Sequence, residues 1–166
     1  MISISGIEYQ EKLERLPYFN KIAAGALIGK EGRNLDKKIS RLIEVGYLAV
    51  LKKGFYTTSA FLDKTNKELY AEYMANILRA PSYISLEYVL AKQWLIPETV
   101  FGITSLTLKT PRSYANTLGN FIYKNIKKEF FTGYARKEWQ DKVIYIASGA
   151  KALFDFLYLK NMPNIS

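Results

Sequence analysis

The stretch from Gly29 to Thr58 constrains the fold most. It opens on a glycine-bounded turn, Gly29-Lys30-Glu31-Gly32, and continues into Leu35, Ile39, Leu42 and Ile43, which recur at the spacing of one helical face. Asn34, Lys37, Lys38 and Arg41 fall on the opposite side of the same helix. Gly46 stands where a helix stop belongs. Two strand-like runs follow, Tyr47 to Leu51 and Phe55 to Thr58, joined by Lys52-Lys53-Gly54, a turn in which Gly54 suits positive φ. Turn, amphipathic helix and basic-tipped hairpin are the parts of a winged helix-turn-helix, in the order that fold needs them. Cations on such a helix meet phosphates, while Asn or Arg reaches base edges in a major groove. A solvated helix face would explain a basic stripe by itself, but it would not require a hairpin next door.

Upstream, Glu8 to Leu16 reads as a helix stopped by Pro17, and Asn20 to Ile28 as a second helix with Asn20 as N-cap. Downstream, Asp63 to Asn66 is polar and reads as a junction. The run Lys67 to Leu78 has a helical apolar pattern, ended by Arg79-Ala80-Pro81. Ser85 is placed to cap a further helix running through Leu95, before Pro97. Val100 to Lys109 and Phe121 to Lys124 read as strands, with Pro111 to Asn116 as a break and Leu118-Gly119-Asn120 as a turn. Lys142 to Ala147 reads as a strand, and Ala150 to Tyr158 as a compact apolar helix. The expected architecture is α+β, with a winged helix over residues 1–60 and a mixed second domain over residues 61–166.

Charge is distributed unevenly. The chain carries 24 basic and 15 acidic residues for a net +9. Residues 1–60 hold ten basic and six acidic side chains, and the middle is near neutral. The 108–137 segment holds Lys109, Arg112, Lys124, Lys127, Lys128, Arg136 and Lys137 against Glu129 alone. Nucleic acid is the first partner such a pattern points to, and an acidic protein or a membrane surface the second. In the second basic segment Tyr114, Phe121, Tyr123, Phe130, Phe131 and Tyr134 interleave with the cations. That suits base stacking, but also a strand that buries Phe121 and Tyr123 while its lysines face solvent.

There is no cysteine and no histidine. Disulfides, thiolate metal sites, Ser-His-Asp triads and His-Glu-x-x-His zinc sites are thereby excluded. The start Met1-Ile2-Ser3-Ile4-Ser5 lacks the basic and apolar parts of a signal peptide, and no apolar run spans a bilayer, so a cytoplasmic location is expected. Leu27 to Asn34 also resembles the Ile-Gly-x-x-Gly loop of a KH module, which clamps single-stranded RNA. A glycine turn between two helices serves a helix-turn-helix equally well. The loop lacks the Gly-Lys-Ser/Thr ending of a Walker motif. Glu138, Asp141 and Asp155 are the carboxylates available for a magnesium centre, at a spacing that matches no metal pattern. Ser148 and Lys151 form a conceivable catalytic pair, although Ser148 as a helix cap explains the residues more simply.

The second half resembles a known family. Pro81-Ser82-Tyr83-Ile84-Ser85-Leu86-Glu87, Gln93-Trp94-Leu95-Ile96-Pro97-Glu98 and Ile103-Thr104-Ser105 come in order. Thr110-Pro111-Arg112-Ser113-Tyr114, Leu118-Gly119-Asn120-Phe121-Ile122-Tyr123 and Phe130-Phe131-Thr132-Gly133-Tyr134 follow. The series closes on Ala147-Ser148-Gly149-Ala150-Lys151-Ala152-Leu153-Phe154-Asp155. Together with the winged helix, it is similar to the AbiEi family of antitoxins and transcriptional regulators from type IV, phage-defence toxin–antitoxin systems. Gly149 and Ala150 depart from the family's proline and glutamate. Typical members continue with more helices, so a short or truncated member is expected.

The resemblance implies an N-terminal winged helix on double-stranded DNA, the operon's own promoter. It also implies an antitoxin-like C-terminal domain that counters a nucleotidyltransferase-like toxin without needing a stable complex. It assigns DNA contact to Arg33, Asn34, Lys37, Lys38 and Arg41 on the helix and to Lys52 and Lys53 on the wing. The resulting expectation is a DNA-binding autoregulator that is not an enzyme and uses no cofactor, metal or membrane. The alternatives are a KH-like RNA-binding module and a protein-interaction module that uses the 109–137 surface.

Overall fold

A computed structural model describes residues 4–161, and the chain divides into two compact units between Lys67 and Glu68. Both mix helices and strands, so the chain is α+β. The first unit runs α1 (Ile4–Arg15), β1 (Phe19–Asn20), α2 (Lys21–Ile28), α3 (Gly32–Glu44), β2 (Leu48–Lys52), β3 (Phe55–Thr58) and α4 (Ser59–Lys64). Its small sheet is antiparallel, in the order β1-β3-β2. Leu13, Phe19, Ala24, Leu35, Ile39, Leu42 and Leu48 form one buried cluster, to which all three of its longer helices contribute.

Local chemistry sets the helix ends. Asn20 caps α2, its side-chain oxygen accepting the Ala23 N–H at 2.8 Å. At the end of α3 the Gly46 N–H bonds the Ile43 carbonyl and the Tyr47 N–H bonds the Leu42 carbonyl. Gly46 sits at φ 79°, so this is a Schellman stop, in which a left-handed glycine satisfies carbonyls the helix leaves open. The polar run Asp63–Asn66, expected to be a junction, instead begins inside α4. Thr58 starts that helix by accepting the Phe61 N–H at 3.1 Å, and a single short turn needs little apolar periodicity to persist beside such a cap.

The second unit runs α5 (Lys67–Leu78), β4 (Ser82–Ile84), α6 (Glu87–Lys92), β5 (Ile103–Thr107), β6 (Arg112–Asn116), β7 (Gly119–Asn125), a 3₁₀ turn (Lys128–Phe130), β8 (Ala135–Trp139), β9 (Lys142–Ile146) and α7 (Gly149–Lys160). The strands form one mixed sheet in the order β6-β7-β5-β4-β9-β8. Neighbouring residues of β4 look to opposite faces. The Ser82 hydroxyl donates to α5 carbonyls, while the Tyr83 hydroxyl donates to Asp155 on α7. The two helices therefore cover opposite faces. β4 and β9 pair at the single register Ile84↔Ile146, leaving Tyr145 beyond the reach of β4. Asn76 of α5 replaces the missing strand, accepting the Tyr145 N–H at 2.7 Å and donating to its carbonyl at 3.1 Å.

Four expectations change here. Pro111–Asn116 is not a break: Arg112–Asn116 is edge strand β6, and the turn is formed by Asn116, whose side-chain oxygen accepts the Leu118 N–H at 2.8 Å. β4 and β8 lie in segments with no strand pattern. All three β4 residues are buried, so they do not alternate, and β8 is an edge strand rich in charge. Ser85 does not cap α6. The residue preceding that helix is Leu86, at φ 62° and ψ −142°, a conformation that costs about 1–3 kcal/mol in a non-glycine residue. Finally, α6 ends at Lys92, short of Leu95.

Ser85 fails to cap because its hydroxyl is used elsewhere. It donates to Asp155 Oδ2 at 2.8 Å, and the Tyr83 hydroxyl donates to the same oxygen at 2.9 Å. Asp155 Oδ1 faces Lys151 Nζ at 2.7 Å, and Asp155 is fully buried. Burial, and then the neighbouring Asp155 charge, push the Tyr83 hydroxyl well above the usual tyrosine range. A second buried carboxylate, Glu72 of α5, accepts from Tyr88 at 3.1 Å and pairs with Lys92 and with Lys137 of β8. Burial by itself would lower Lys92, but Glu72 and Glu68 more than offset it and hold its ammonium above the usual lysine range. Asp155→Ala strips partners from two buried hydroxyls and from Lys151, and should cost about 3–5 kcal/mol, read as a lower urea midpoint at unchanged slope.

Candidate nucleic-acid interface

The site is built on α3. Leu35, Ile39 and Leu42 are buried, and this fixes the rotation of the helix. Arg33, Asn34, Lys37 and Arg41 are then exposed and Lys38 is half-buried. Among the described residues none of these four cations forms an ion pair. The acidic neighbour that might have answered them, Asp36, is paired with Lys21 of α2 at 2.5 Å.

The turn before α3 holds that helix against α2. Gly29 ends α2 at φ 78°, and Gly32 begins α3 at φ 58°. Neither glycine has a heavy atom within 4 Å of where a Cβ would stand, so the backbone here is open to approach as well as left-handed. Gly25 is a different case, because its packing is what matters: a Cβ there would stand 2.9 Å from Leu35 Cδ2 and from the Lys30 carbonyl oxygen. The helices approach closely at this glycine, and a concavity of about 880 Å³ opens beside it, lined among others by Lys21, Ile22, Lys30 and Asn34. Ile22 is 82% exposed at this rim, a surface apolar residue that sequence patterning does not reveal because α2 carries no clear amphipathic signal.

The β2–β3 hairpin leaves α3 directly through the Gly46 stop. The Tyr47 hydroxyl donates to Glu14 Oε1 of α1 at 2.9 Å, tying the hairpin base to the first helix. Burial and then Glu14 raise the Tyr47 hydroxyl above the usual tyrosine range. At the tip Gly54 takes φ 79°, Lys53 is exposed, and Lys52 lies over the Phe55 ring with its nitrogen 4.7 Å from the centroid. The two hairpin lysines are thus unlike: one is presented to solvent and the other is braced along an aromatic face.

The second basic region does not form one surface. Lys109, Arg112, Lys124, Lys127 and Lys128 belong to β6, β7 and the connections around them, whereas Arg136 and Lys137 lie on β8 at the opposite edge of the sheet. β7 and β8 stand four strand positions apart, about 19 Å at ordinary strand spacing. Lys137 is engaged by Glu72. Phe121 and Tyr123 are buried, as expected of one strand face, and Lys124 is exposed.

The enzyme-like constellations separate in the same way. Asp155 is locked in its buried network, Asp141 pairs with Lys142 at the β8–β9 turn, and Glu138 is exposed on β8. Among the described residues no group of three potential ligands gathers to hold a metal. Ser148 caps α7, accepting the Lys151 N–H at 3.1 Å, while the Lys151 ammonium turns to Asp155. No described helix is long and apolar enough to cross a membrane. No protein-family model and no curated protein matches the chain.

Gly25→Ala tests the close approach of α2 and α3. Overpacking there should cost about 1–3 kcal/mol in thermal or urea unfolding. Gly29→Ala should cost less, about 1 kcal/mol, since only its left-handed backbone objects.

Proposed function

We propose that the first unit is a winged helix-turn-helix that binds double-stranded DNA, with α3 as the reading helix and the β2–β3 hairpin as the wing. The observation that carries the reading is the outward face of α3: four cations and Asn34, with no carboxylate partner among the described residues, on a helix whose rotation is fixed by a buried opposite face. Uncompensated cations at this density favour a polyanion, and affinity would come largely from counterion release on phosphate neutralisation. Asn34 and Arg41 carry the base-edge contacts in this reading. Arg33, Lys37, Lys38, Lys52 and Lys53 carry phosphate contacts.

Taken with the resemblance of the second unit to the AbiEi family, the proposal extends to a cytoplasmic transcriptional autoregulator. It would be the antitoxin of a type IV toxin–antitoxin system, with a nucleotidyltransferase-like toxin as its functional partner and no catalytic role of its own.

Fluorescence anisotropy with the chain's own upstream duplex, a scrambled duplex and the matching single strand tests this at two salt concentrations. The upstream duplex should bind tightest, and removing one phosphate-binding cation should flatten the log–log salt slope by about 0.9. Lys53→Ala should weaken both duplexes about equally. Asn34→Ala and Arg41→Ala should each cost about 1–3 kcal/mol on the upstream duplex and much less on the scrambled one. Equal losses on both duplexes in all three variants would remove α3 as the reader. Preference for the single strand, abolished by Gly32→Asp, would instead establish the Gly29–Gly32 clamp.

A further inference from the structure

Helix α7 turns Ala152 and Asp155 toward the sheet, and its exposed residues are Ala150, Leu153, Phe154, Leu157 and Lys160. A helix with one side in water ordinarily carries charge on that side. Here the outward stripe from Ala150 to Leu157 runs at i, i+3, i+4 and i+7 and holds no charge. Its three large side chains, Leu153, Phe154 and Leu157, are 45% to 49% exposed. That spacing is the seam of a helix pair, with the second helix missing.

The apolar surface continues beyond the helix. Leu95 is also exposed and lies against the start of α7, since a Cβ on Gly149 would stand 3.1 Å from Leu95 Cδ1. Its neighbour Trp94 is 91% exposed. The Trp94 N–H bonds the Ala91 carbonyl and the Leu95 N–H bonds the Leu90 carbonyl, so α6 ends in a Schellman stop. Trp94 takes the left-handed position of that stop, at φ 59°, where glycine fits best. Neither the strained backbone nor the bare indole benefits an isolated molecule. On the other flank Phe154 is held by Phe130 and Tyr158, whose ring centroids lie 6.0 and 6.3 Å away. Its ring is therefore fixed before any partner arrives.

We infer that this face seats a second copy of the chain, with two α7 helices packing across a twofold axis. A twofold interface places a surface against itself, so a charged centre would repel its own image and an uncharged one does not. The area fits this occupant. At about 150–250 Å² for an aromatic side chain and roughly 100 Å² for a leucine, the exposed parts of Trp94, Leu95, Leu153, Phe154 and Leu157 come to roughly 500 Å² per copy. The half-buried Phe130 and Tyr158 and the polar rim extend the face toward the ~800 Å² per partner of a specific interface. That is the low end for a stable pair, and it sets the expected dissociation constant at about micromolar. The inference concerns the second unit and stands apart from the DNA reading of the first.

Sedimentation velocity on the full chain without DNA, from about 1 to 200 μM, tests the inference. The parent should pass from monomer to dimer across that range. Leu157→Glu places a good helix former at an exposed position, so the circular-dichroism spectrum should not change. It should weaken self-association by about tenfold or more, because two carboxylates are brought to the seam. Trp94→Gly should also weaken the dimer. In dilute solution, where both chains are monomers, it should melt no lower than the parent, because glycine accepts the left-handed position. A parent that stays monomeric at the highest concentration would overturn the proposal, as would dimerisation undiminished in either variant. Cosedimentation of a monomeric parent with phosphatidylcholine–phosphatidylglycerol vesicles, lost in Leu157→Glu, would overturn it too and give the face to a lipid surface.

Discussion

A helix of three or four turns can bury one side only, and the candidate interface follows from which side α3 buries. Leu35, Ile39 and Leu42 enter the core of the first unit, so Arg33, Asn34, Lys37 and Arg41 are turned outward together. Both ends of the helix are then held. Gly25 lets α2 approach closely against Leu35 at one end, and the Gly46 stop sets the hairpin's departure at the other. Asp36 is diverted to Lys21, which leaves the outward cations without internal carboxylate partners among the described residues. Burial, close approach and charge pairing act in the same direction, and this agreement is what gives the DNA-binding proposal its physical basis.

The second unit is organised by buried charge. Asp155 ties α7 to β4, and Glu72 ties α5 to α6 and β8. Asn76 completes the hydrogen bonding of β9 where its neighbouring strand stops short. Such ties specify an arrangement more than they add stability, because each begins by removing a polar group from water. They also account for residues whose chemistry alone would suggest catalysis. Ser85, Lys151, Asp155 and Tyr83 are one buried network, and Lys137 is a partner of Glu72 before it is part of any basic surface.

Much was legible in the sequence wherever local chemistry dominated. Helix α3, the Asn20 and Ser148 caps, the Gly46 stop, the hairpin, α5 and the buried Phe121–Tyr123 face all follow from periodicity or from a single capping side chain within a few residues. β4 could not be read this way. Three residues buried on both faces have no alternation, and they form a strand only because β5 lies beside them. β6 and β8 were obscured because edge strands carry charge and polar residues in place of an apolar pattern.

The sequence by itself determined the faces of helices and the places where the chain must turn, because those depend on side-chain spacing and backbone freedom over a few residues. Only the tertiary structure decided which distant groups meet. The 108–137 cations are neighbours along the chain, yet strand order sends them to opposite edges of one sheet. Ser85, a plausible cap in its own segment, is claimed by Asp155 seventy residues away. Pairing between remote strands and the satisfaction of buried polar groups are properties of the whole packed unit, and no local window of residues contains them.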